Sequence, residues 1–375
     1  MTIQFTQAAT TTTAPNRPEL QQVIQEAVEA GYAGVQLRVR DEQGEWVGSA
    51  GVSKLGEDAK PATNGLFRIG SNTKTFVATV VLQLVAEGKI GLDTPAADYL
   101  PQFELDPRIT VRMLLQHTSG VFNFTGEYFP DGTIVPGIPW QGQEWVDNLF
   151  HSYPPAELVR LALSKPARFE PGTDWSYSNT NYVLARLVIE SVTGRSLAEE
   201  MHRLILGPLG LTGTVVPDFQ TEIPEPHAHG YYAYQDGDAW KVVDTSSMNP
   251  SWISAGGDMI STTADLQTFI SALMSGKLLP APLLAEMRTP RATGLPKNEY
   301  GLGLFVEETD GGDILYTHNG GFFGWAALMY STPDGSKTMT ASITTGDAKV
   351  DFAEMSATFL QVRQRLVNAV FGDQA

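Results

Sequence analysis

The sequence contains no cysteine among its 375 residues, which excludes disulfide bonds, thiolate catalysis and cysteine-ligated metals. It also has no run of roughly eighteen uncharged apolar residues, so no membrane-spanning helix is predicted. Basic residues are scarce, since 25 Lys and Arg stand against 42 Asp and Glu for a net charge of -17. Nucleic acid and anionic membrane surfaces are therefore poor partners. The oligomeric state is left open.

The beginning of the chain lacks the basic and apolar segments of a secretory signal. Residues 1–17 are predicted to form a flexible leader, which is either the remainder of a removed signal or a disordered terminus. The compartment stays open between secreted or periplasmic, with the signal removed, and cytoplasmic. A cysteine-free chain suits either redox environment.

The order of helical and strand-like patterns predicts the fold class. Helical spacing over Pro18–Ala30 is followed by two strand-like runs, and three more such runs precede a last helix over Asp351–Phe371. Residues from about 94 to 211 have mainly helical patterns. We predict an α+β fold with a mainly antiparallel sheet from both termini, flanked by helices, and a largely helical inserted region. The predicted boundaries are 18–92 and 256–375 for an α/β sheet domain and 93–255 for a mainly helical domain, with the active site between them.

The first chemical motif places Ser71 and Lys74 three residues apart, at the predicted start of a long apolar helix. At this spacing the two side chains share one face of the helix. The positive end of a helix dipole favours the alkoxide that a nucleophilic serine must approach, and a neighbouring amine can accept its proton. Taken alone the pair is a weak signal, because such a spacing recurs by chance.

Two further motifs contain residue types suited to acyl transfer. Tyr177 and Asn179 precede a predicted helix over Tyr182–Val192, where a phenol can relay a proton and a carboxamide can orient the lysine or bind a carbonyl. An N-cap cluster is the alternative. His318 ends a strand-like run and is followed by Asn-Gly-Gly, where glycines permit close approach of a substrate backbone. A hydrogen-bonded strand histidine followed by a glycine turn is the alternative.

Other candidate functional residues are less well supported by the sequence. His227 and His229 could form a metal site, but they lie in a Pro-rich loop without suitable carboxylate spacing, so neither a metal nor an organic cofactor is predicted. No Gly-x-Ser-x-Gly elbow of a Ser-His-Asp hydrolase occurs. Residues Asn123–Pro155 are predicted to be a long aromatic loop of functional importance. His117 is predicted to fix a loop.

Three other segments accompany the motifs in the order found here: Leu-Leu-Gln-His-Thr-Ser-Gly at 114–120, Trp252 with Ser-Ala-Gly at 254–256, and Tyr-Gly-Leu-Gly-Leu at 300–304. The sequence resembles the penicillin-binding-protein and class C β-lactamase superfamily of serine hydrolases over about 20–370. It is most similar to the D-alanyl-D-alanine carboxypeptidase/transpeptidase subgroup, with its D-aminopeptidase, D-amino-acid amidase and esterase relatives. The resemblance implies a β-lactamase/transpeptidase-like fold and acyl transfer on a small-molecule or peptide substrate without a cofactor.

The resemblance also implies roles for the first two motifs. Ser71 would be the acylated nucleophile, and Lys74 the amine that takes or shares its proton. Tyr177 would pass the proton to the leaving group and later help to activate the acceptor. Asn179 would bind the amide of the acyl side chain.

For the third motif, the resemblance implies that His318 replaces the lysine found in many relatives. Asn319 would belong to the substrate-binding segment, and the strand from Gly320 would bind substrate backbone. The amides of Ser71 and Gly321 would form an oxyanion hole. Trp252 would border the cleft.

The chain also departs from the carboxypeptidase pattern. An arginine directly after the Tyr-Gly-Leu-Gly-Leu segment grips the substrate's terminal carboxylate in that subgroup, whereas this chain has Phe305. The subgroup has threonines at the positions of Asn319 and Gly321. Bidentate capture of a carboxylate needs a guanidinium group. The prediction is therefore a hydrolase of amide or ester bonds, acting on D-amino-acid-containing peptides; an esterase or a D-aminopeptidase/amidase is the alternative. Outside enzymes, the alternative is a penicillin-sensing module that is acylated without turnover.

Overall fold

The computed structural model describes residues 16–129, 131–349 and 352–372. The predicted leader up to residue 15, and Asp351 at the predicted start of the last helix, lie outside the described residues. The helices of the described part are α1 (Pro18–Glu29), α2 (Thr73–Ala86), α3 (Ala96–Tyr99), α4 (Val111–Gln116), α5 (Gly142–Asp147), α6 (Pro155–Leu163), α7 (Asn179–Thr193), α8 (Leu197–Met201), α9 (Gly207–Leu209), α10 (Thr263–Met274), α11 (Ala281–Arg288) and α12 (Phe352–Phe371). None of them is long and apolar enough to cross a membrane.

The strands of the described part are β1 (Tyr32–Asp41), β2 (Gly44–Gly51), β3 (Phe67–Arg68), β4 (Glu127–Tyr128), β5 (Ile134–Val135), β6 (Tyr231–Asp236), β7 (Ala239–Asp244), β8 (Ile260–Ser261), β9 (Arg291–Leu295), β10 (Asn298–Tyr300), β11 (Phe305–Glu308), β12 (Ile314–Phe322), β13 (Trp325–Ser331) and β14 (Thr338–Thr345). Eight of them form one sheet in the order β2-β1-β14-β13-β12-β11-β10-β9. Every neighbouring pair in this sheet is antiparallel. Its strands come from 32–51 and 291–345, so the predicted α+β fold with a sheet from both termini is confirmed.

One face of the sheet is covered by the first and last helices. Leu20 and Ile24 of α1 and Leu366 of α12 are fully buried in one cluster with Leu37 and Ile343 of the sheet. Spacings of three and four residues place such side chains on one side of a helix, which produces the apolar stripe that packs on a sheet. The two terminal helices therefore close this face.

On the other side, α2 is central to the larger hydrophobic core. Its apolar residues lie on more than one face, and Phe76, Val80 and Leu84 are all fully buried. The ring of Phe76 stacks on that of Phe269 from α10, with centroids 3.6 Å apart. A helix that is apolar on most sides is a core helix, so the burial of α2 agrees with the long apolar helix predicted after Ser71. The predicted domain boundaries stay predictions.

Three local predictions differ from the structure. The segment 123–155 is not one irregular loop, because it contains the β4–β5 hairpin and α5, whose Trp145 is buried. The helix after Tyr177 begins at Asn179 instead of near Tyr182. The glycines after His318 do not form a turn, since they continue β12 and Gly321 pairs with Ala326 of β13. Glycine tolerates strand geometry, and here pairing with a neighbour outweighs its turn preference.

Candidate active site

Ser71 lies in a short 3-10 turn, Gly70–Asn72, that leads directly into α2. Two close backbone contacts hold this turn against β12. A Cβ added to Gly70, whose φ is +53°, would lie 2.8 Å from both the main-chain nitrogen and oxygen of Gly321, and one added to Gly320 would lie 1.8 Å from the carbonyl oxygen of Ile69. Only glycine fits at such contacts. The paired glycines therefore bring Ser71 beside the end of β12.

Lys74 occupies the first turn of α2 and is fully buried. Its Nζ donates to Ser71 Oγ at 3.1 Å, to Asn179 Oδ1 at 2.8 Å and to the carbonyl oxygen of Gly256 at 2.5 Å. These acceptors favour the ammonium form, but desolvation acts against it more strongly and holds the pKa of Lys74 well below its usual value. A buried amine of low pKa can take the proton of Ser71.

Tyr177 lies next to this pair. The centre of its ring is 4.6 Å from Lys74 Nζ, and its hydroxyl interacts with the side chain of Ser71. Although part of the side chain is exposed, its packed surroundings raise the pKa of the phenol far above its usual value, and the interaction with Ser71 opposes this only in part. The hydroxyl therefore keeps its proton at neutral pH and is available as a donor.

Asn179 is the first residue of α7. Its main-chain N–H donates to Asn123 Oδ1 at 3.0 Å, while its own Oδ1 accepts from Lys74. A Cβ on Gly256 would lie 3.1 Å from Asn179 Oδ1, so this glycine leaves the carboxamide room to reach the lysine. Of the two functions suggested by the sequence, orientation of Lys74 is the one that this geometry displays.

His117 supports the loop that carries Tyr177. It is fully buried, and its Nδ1 accepts from the N–H of Ser178 at 3.2 Å and lies 3.1 Å from Asn181 Nδ2. Burial holds the pKa of His117 well below its usual range, so the ring is neutral and can accept both bonds. Its ring centre is 4.4 Å from that of Tyr177. His117 is a loop-fixing residue, as its sequence context predicts.

His318 lies within β12 and is buried. Its Nε2 is 3.1 Å from the hydroxyl of Tyr300, and its Nδ1 is 2.9 Å from the carbonyl oxygen of Asn319. Burial and the charge of nearby Lys74 lower the pKa of His318 to about 3. It is therefore a neutral hydrogen-bonding residue, whereas the lysine that the resemblance places here would be a cation.

Asn319 and Gly321 lie on the opposite face of β12 from His318, because successive side chains of a strand alternate. Asn319 Nδ2 donates to the hydroxyl of Tyr330, which packs in the cluster under α12. The side chain of Asn319 therefore faces away from His318, and a role in substrate binding is left to its main chain, which stays a prediction. A Cβ on Gly321 would meet nothing within 4 Å.

The beta-lactamase family model matches residues 20–358 of this chain. The chain belongs to the beta-lactamase family. It is similar to the solved D-stereospecific amidohydrolase from Streptomyces sp., with 36% identity, a TM-score of 0.82, and coverage of 96% of this chain and 100% of that one. It is also similar to the D-amino acid amidase from Ochrobactrum anthropi SV3 complexed with L-phenylalanine amide, with 26% identity, a TM-score of 0.79, and coverage of 96% and 99%. The expected superfamily and fold class are both confirmed.

Among curated family members, penicillin-binding protein 4* from Bacillus subtilis is 26% identical over 301 residues. The match covers 78% of this chain but only 63% of that protein, so the chain spans less than two thirds of this relative's length. The relatives described above include an amidohydrolase and an amidase, which agrees with the expectation of a hydrolytic enzyme.

Two aromatic residues of the present chain, Trp252 and Phe305, were predicted at the active site, and their surroundings differ. Trp252 is half-buried, with its ring centre 5.4 Å from that of Phe322, the last residue of β12. Phe305 begins β11, and its ring centre is 4.6 Å from that of Tyr300 and 5.3 Å from that of His318. Phe305 therefore presents an apolar ring beside His318, where the carboxypeptidase subgroup has a guanidinium.

Three upstream cations could in principle replace the missing arginine, but each has partners elsewhere. The Nη2 of Arg288 donates to the carbonyl oxygens of Met274 and Pro333, both at 2.6 Å. Arg291 donates to the carbonyl oxygen of Gly172, and Lys297 pairs with Asp310. Those two distances are 2.8 and 2.9 Å.

The possible metal residues His227 and His229 have ring centres 5.3 Å apart. His229 Nδ1 lies 2.6 Å from an oxygen of Asp244, and His227 Nδ1 lies 3.5 Å from one of Glu225. Within residues 16–129, 131–349 and 352–372, no group of three or more His, Asp or Glu side chains is arranged to hold a metal ion.

The sequence reasoning missed two features. The contribution of Gly70 depends on a contact with β12, more than two hundred residues away, which no local pattern reveals. Asp258 was also missed, although it interrupts the otherwise uncharged stretch 251–264 and follows the Ser-Ala-Gly segment. An acidic residue in a run that is otherwise suited to burial was the available signal.

Proposed function

We propose that this protein is a serine hydrolase that cleaves amide or ester bonds through an acyl-Ser71 intermediate. The 3.1 Å hydrogen bond from the buried Nζ of Lys74 to Ser71 Oγ, beside the Tyr177 hydroxyl, carries this proposal. Lys74 takes the proton as Ser71 Oγ bonds to the substrate carbonyl carbon. The electrons of the carbonyl double bond move onto the substrate's carbonyl oxygen. When they return, the bond between the carbonyl carbon and the leaving group breaks. Tyr177 donates its hydroxyl proton to the leaving group and receives a proton from Lys74.

The oxyanion of this step needs hydrogen-bond donors that are already in place. We assign this role to the main-chain N–H groups of Ser71 and Gly321, each worth ~3 kcal/mol in enzymes of comparable chemistry. The close packing of Gly70 on Gly321 supports the assignment, because it brings these two amides into one small region. In the second half of the reaction, a water molecule in the place of the leaving group bonds to the acyl carbon while Tyr177 with Lys74 removes its proton. The bond from that carbon to Ser71 Oγ then breaks, and Ser71 takes the proton back.

The substrate class proposed is amides, peptides and esters of D-amino acids with an uncharged group on the leaving side. The likeness to a D-stereospecific amidohydrolase and a D-amino acid amidase supports the D-configured acyl group. Phe305 beside His318, together with upstream cations that have other partners, supports an uncharged leaving side. A carboxypeptidase that grips a free terminal carboxylate is therefore the weaker candidate. An esterase of the same superfamily is the alternative.

The test is covalent labelling and turnover. Native protein should react with a fluorophosphonate and hydrolyse D-phenylalanine amide or ester faster than the L-form, whereas Ser71→Ala should do neither. Ser164→Ala, which changes an exposed serine at the end of α6, is the matched control and should behave as native. Full labelling of the Ser71 variant would refute the assignment. Release of one equivalent of product followed by a stop would identify the penicillin-sensing module instead.

A further inference from the structure

Asp258 is a buried acid that the mechanism above does not use. It follows the 3-10 turn Ser254–Gly256, and its side chain is fully excluded from solvent. Its N–H donates to the carbonyl oxygen of Ser254 at 3.0 Å, which fixes the main chain. Among the described residues, however, neither of its carboxyl oxygens has a hydrogen-bond partner. Burying a carboxylate without a hydrogen-bonded partner is costly, so its presence needs an explanation.

The segment around Asp258 packs directly on the segment that carries the nucleophile. Two residues before it, the carbonyl oxygen of Gly256 accepts from Lys74 Nζ at 2.5 Å. One residue after it, the N–H of Met259 donates to Thr73 Oγ1 at 3.3 Å, and the carbonyl oxygen of Met259 accepts from Ile69. Contacts on both sides therefore hold Asp258 behind the Lys74 turn. Its negative charge raises the pKa of Lys74, against the effect of burial.

Other charges also act on this acid. Burial raises the pKa of Asp258 to about 7, and Asp218 acts in the same direction, while Arg186 and Arg68 lower it. Arg186 already pairs with Asp218 at 2.7 Å and with Glu190 at 2.9 Å. The charged and titratable groups that face Asp258 or Lys74 from the packed elements are Arg68 of β3, with Glu222 near it, His117 after α4, Tyr177, Tyr182 and Arg186 of α7 and its loop, Asp218, and His318 of β12.

We propose that Asp258 is a positioning residue that sets the protonation state of Lys74, an inference that rests on the proposed function. When Asp258 and Lys74 share one proton, the group that holds this proton decides whether the site is active. If Asp258 holds the proton, Lys74 is a free amine that can accept a proton from Ser71. If Lys74 holds the proton, it is an ammonium group that cannot accept one. Neutral Asp258 therefore permits catalysis, and ionised Asp258 holds the proton on the base.

The experiment compares Asp258→Asn with native protein in the pH dependence of fluorophosphonate labelling and of kcat/KM. The variant has no charge to hold the proton on Lys74, so its acid limb should move to lower pH by on the order of one unit and follow a single ionisation. An unchanged limb, or one moved to higher pH, would overturn the inference. Asp258→Leu, of similar shape and without charge, repeats the test if the Asn variant loses its structure.

Asp218→Asn is the matched control. Asp218 is an acid that pairs with Arg186, which also acts on Asp258, but it lies outside the segment 254–259 that packs on the first turn of α2. Asp218 has a φ of +52°, a conformation that asparagine tolerates. Removal of Asp218 lowers the pKa of Asp258, so it should leave the acid limb in place or move it to higher pH. A shift to lower pH equal to that of Asp258→Asn would show a general charge effect and overturn the inference.

A second readout does not depend on activity. Because the folded state binds the proton of Asp258 more tightly than the unfolded state does, native stability should fall as pH rises from about 4 to about 7, and Asp258→Asn should lack this component. Unfolding of Asp258→Asn, Lys74→Met and the double variant near pH 7, where the native pair is proposed to share one proton, then gives the coupling, expected to change the unfolding constant by about fivefold or more beyond additivity. Additive effects would overturn the inference. Native protein that neither labels nor turns over would instead refute the proposed function.

Discussion

The proposed specificity is tested most directly by the charge on the leaving side of the substrate, because Phe305 stands where the carboxypeptidase subgroup has an arginine. A free carboxylate that enters a closed cleft without a cationic partner loses several kcal/mol. The ring of Phe305 lies 5.3 Å from that of a neutral His318, and neither group can pair with a carboxylate. We therefore expect native protein to process the C-terminal amide and methyl ester of an acyl-D-alanyl-D-alanine substrate at least about tenfold better in kcat/KM than the free acid, since about 1.4 kcal/mol corresponds to tenfold.

Phe305→Arg should abolish or reverse this preference. Hydrogen bonds to a charged group contribute about 1.5–3 kcal/mol, so a guanidinium at the start of β11 should improve the ratio of free acid to amide by about 10–100-fold. Its aliphatic part can still cover the ring of Tyr300, which lies 4.6 Å from Phe305 in the native protein. Phe305→Leu is the matched control, because it removes the ring without adding charge and should leave the ratio unchanged.

The rates for the free acid, the C-terminal amide and the methyl ester can also refute this reasoning. A tenfold or greater preference of native protein for the free acid would show that another cation grips the carboxylate. Arg288, Arg291 and Lys297 would then have to leave the partners they hold here. In that case the carboxypeptidase assignment would replace the one proposed above.

Two further substitutions test the mechanism. Tyr177→Phe keeps the ring and removes the hydroxyl, so kcat/KM should fall by ~10²–10⁴-fold with little change in Tm, and activity within a few-fold of native would exclude the proton relay. Gly70→Ala should abolish labelling, because its Cβ would lie 2.8 Å from the main chain of Gly321, whereas Gly88→Ala, with a φ of +73° and no atom within 4 Å, pays only the conformational cost of about 1–3 kcal/mol and should keep its labelling rate.

Much of this fold was predictable from periodicity. The apolar spacing of α1 and α2 and the alternation of β1 are local properties of the sequence, and the structure agrees with them. Ser71, Lys74, Tyr177 and Asn179 could be chosen from their chemistry and spacing, and the structure brings all four together around Lys74 Nζ or Ser71 Oγ.

What the sequence could not predict depends on contacts distant in the chain. The direction of the Asn319 side chain is decided by the pairing of β12 with its neighbours, which leaves the residue facing Tyr330. The neutral state of His318 follows from burial beside Lys74, a property of the assembled core. A motif therefore identified residue types at the site, while strand register and burial decided which of them face the nucleophile and in what charge state.

One physical cause accounts for both the activation and the selectivity proposed here. Burial lowers the pKa of Lys74 and of His318 and raises that of Tyr177, so each of the three tends toward its uncharged form near neutral pH. The uncharged amine is the form that can accept a proton from Ser71, and the uncharged phenol is the form that can donate one. An uncharged histidine beside Phe305 offers no cation to a carboxylate. The same desolvation that prepares the base thus disfavours anionic substrates, and the protein's net charge of -17 acts in the same direction.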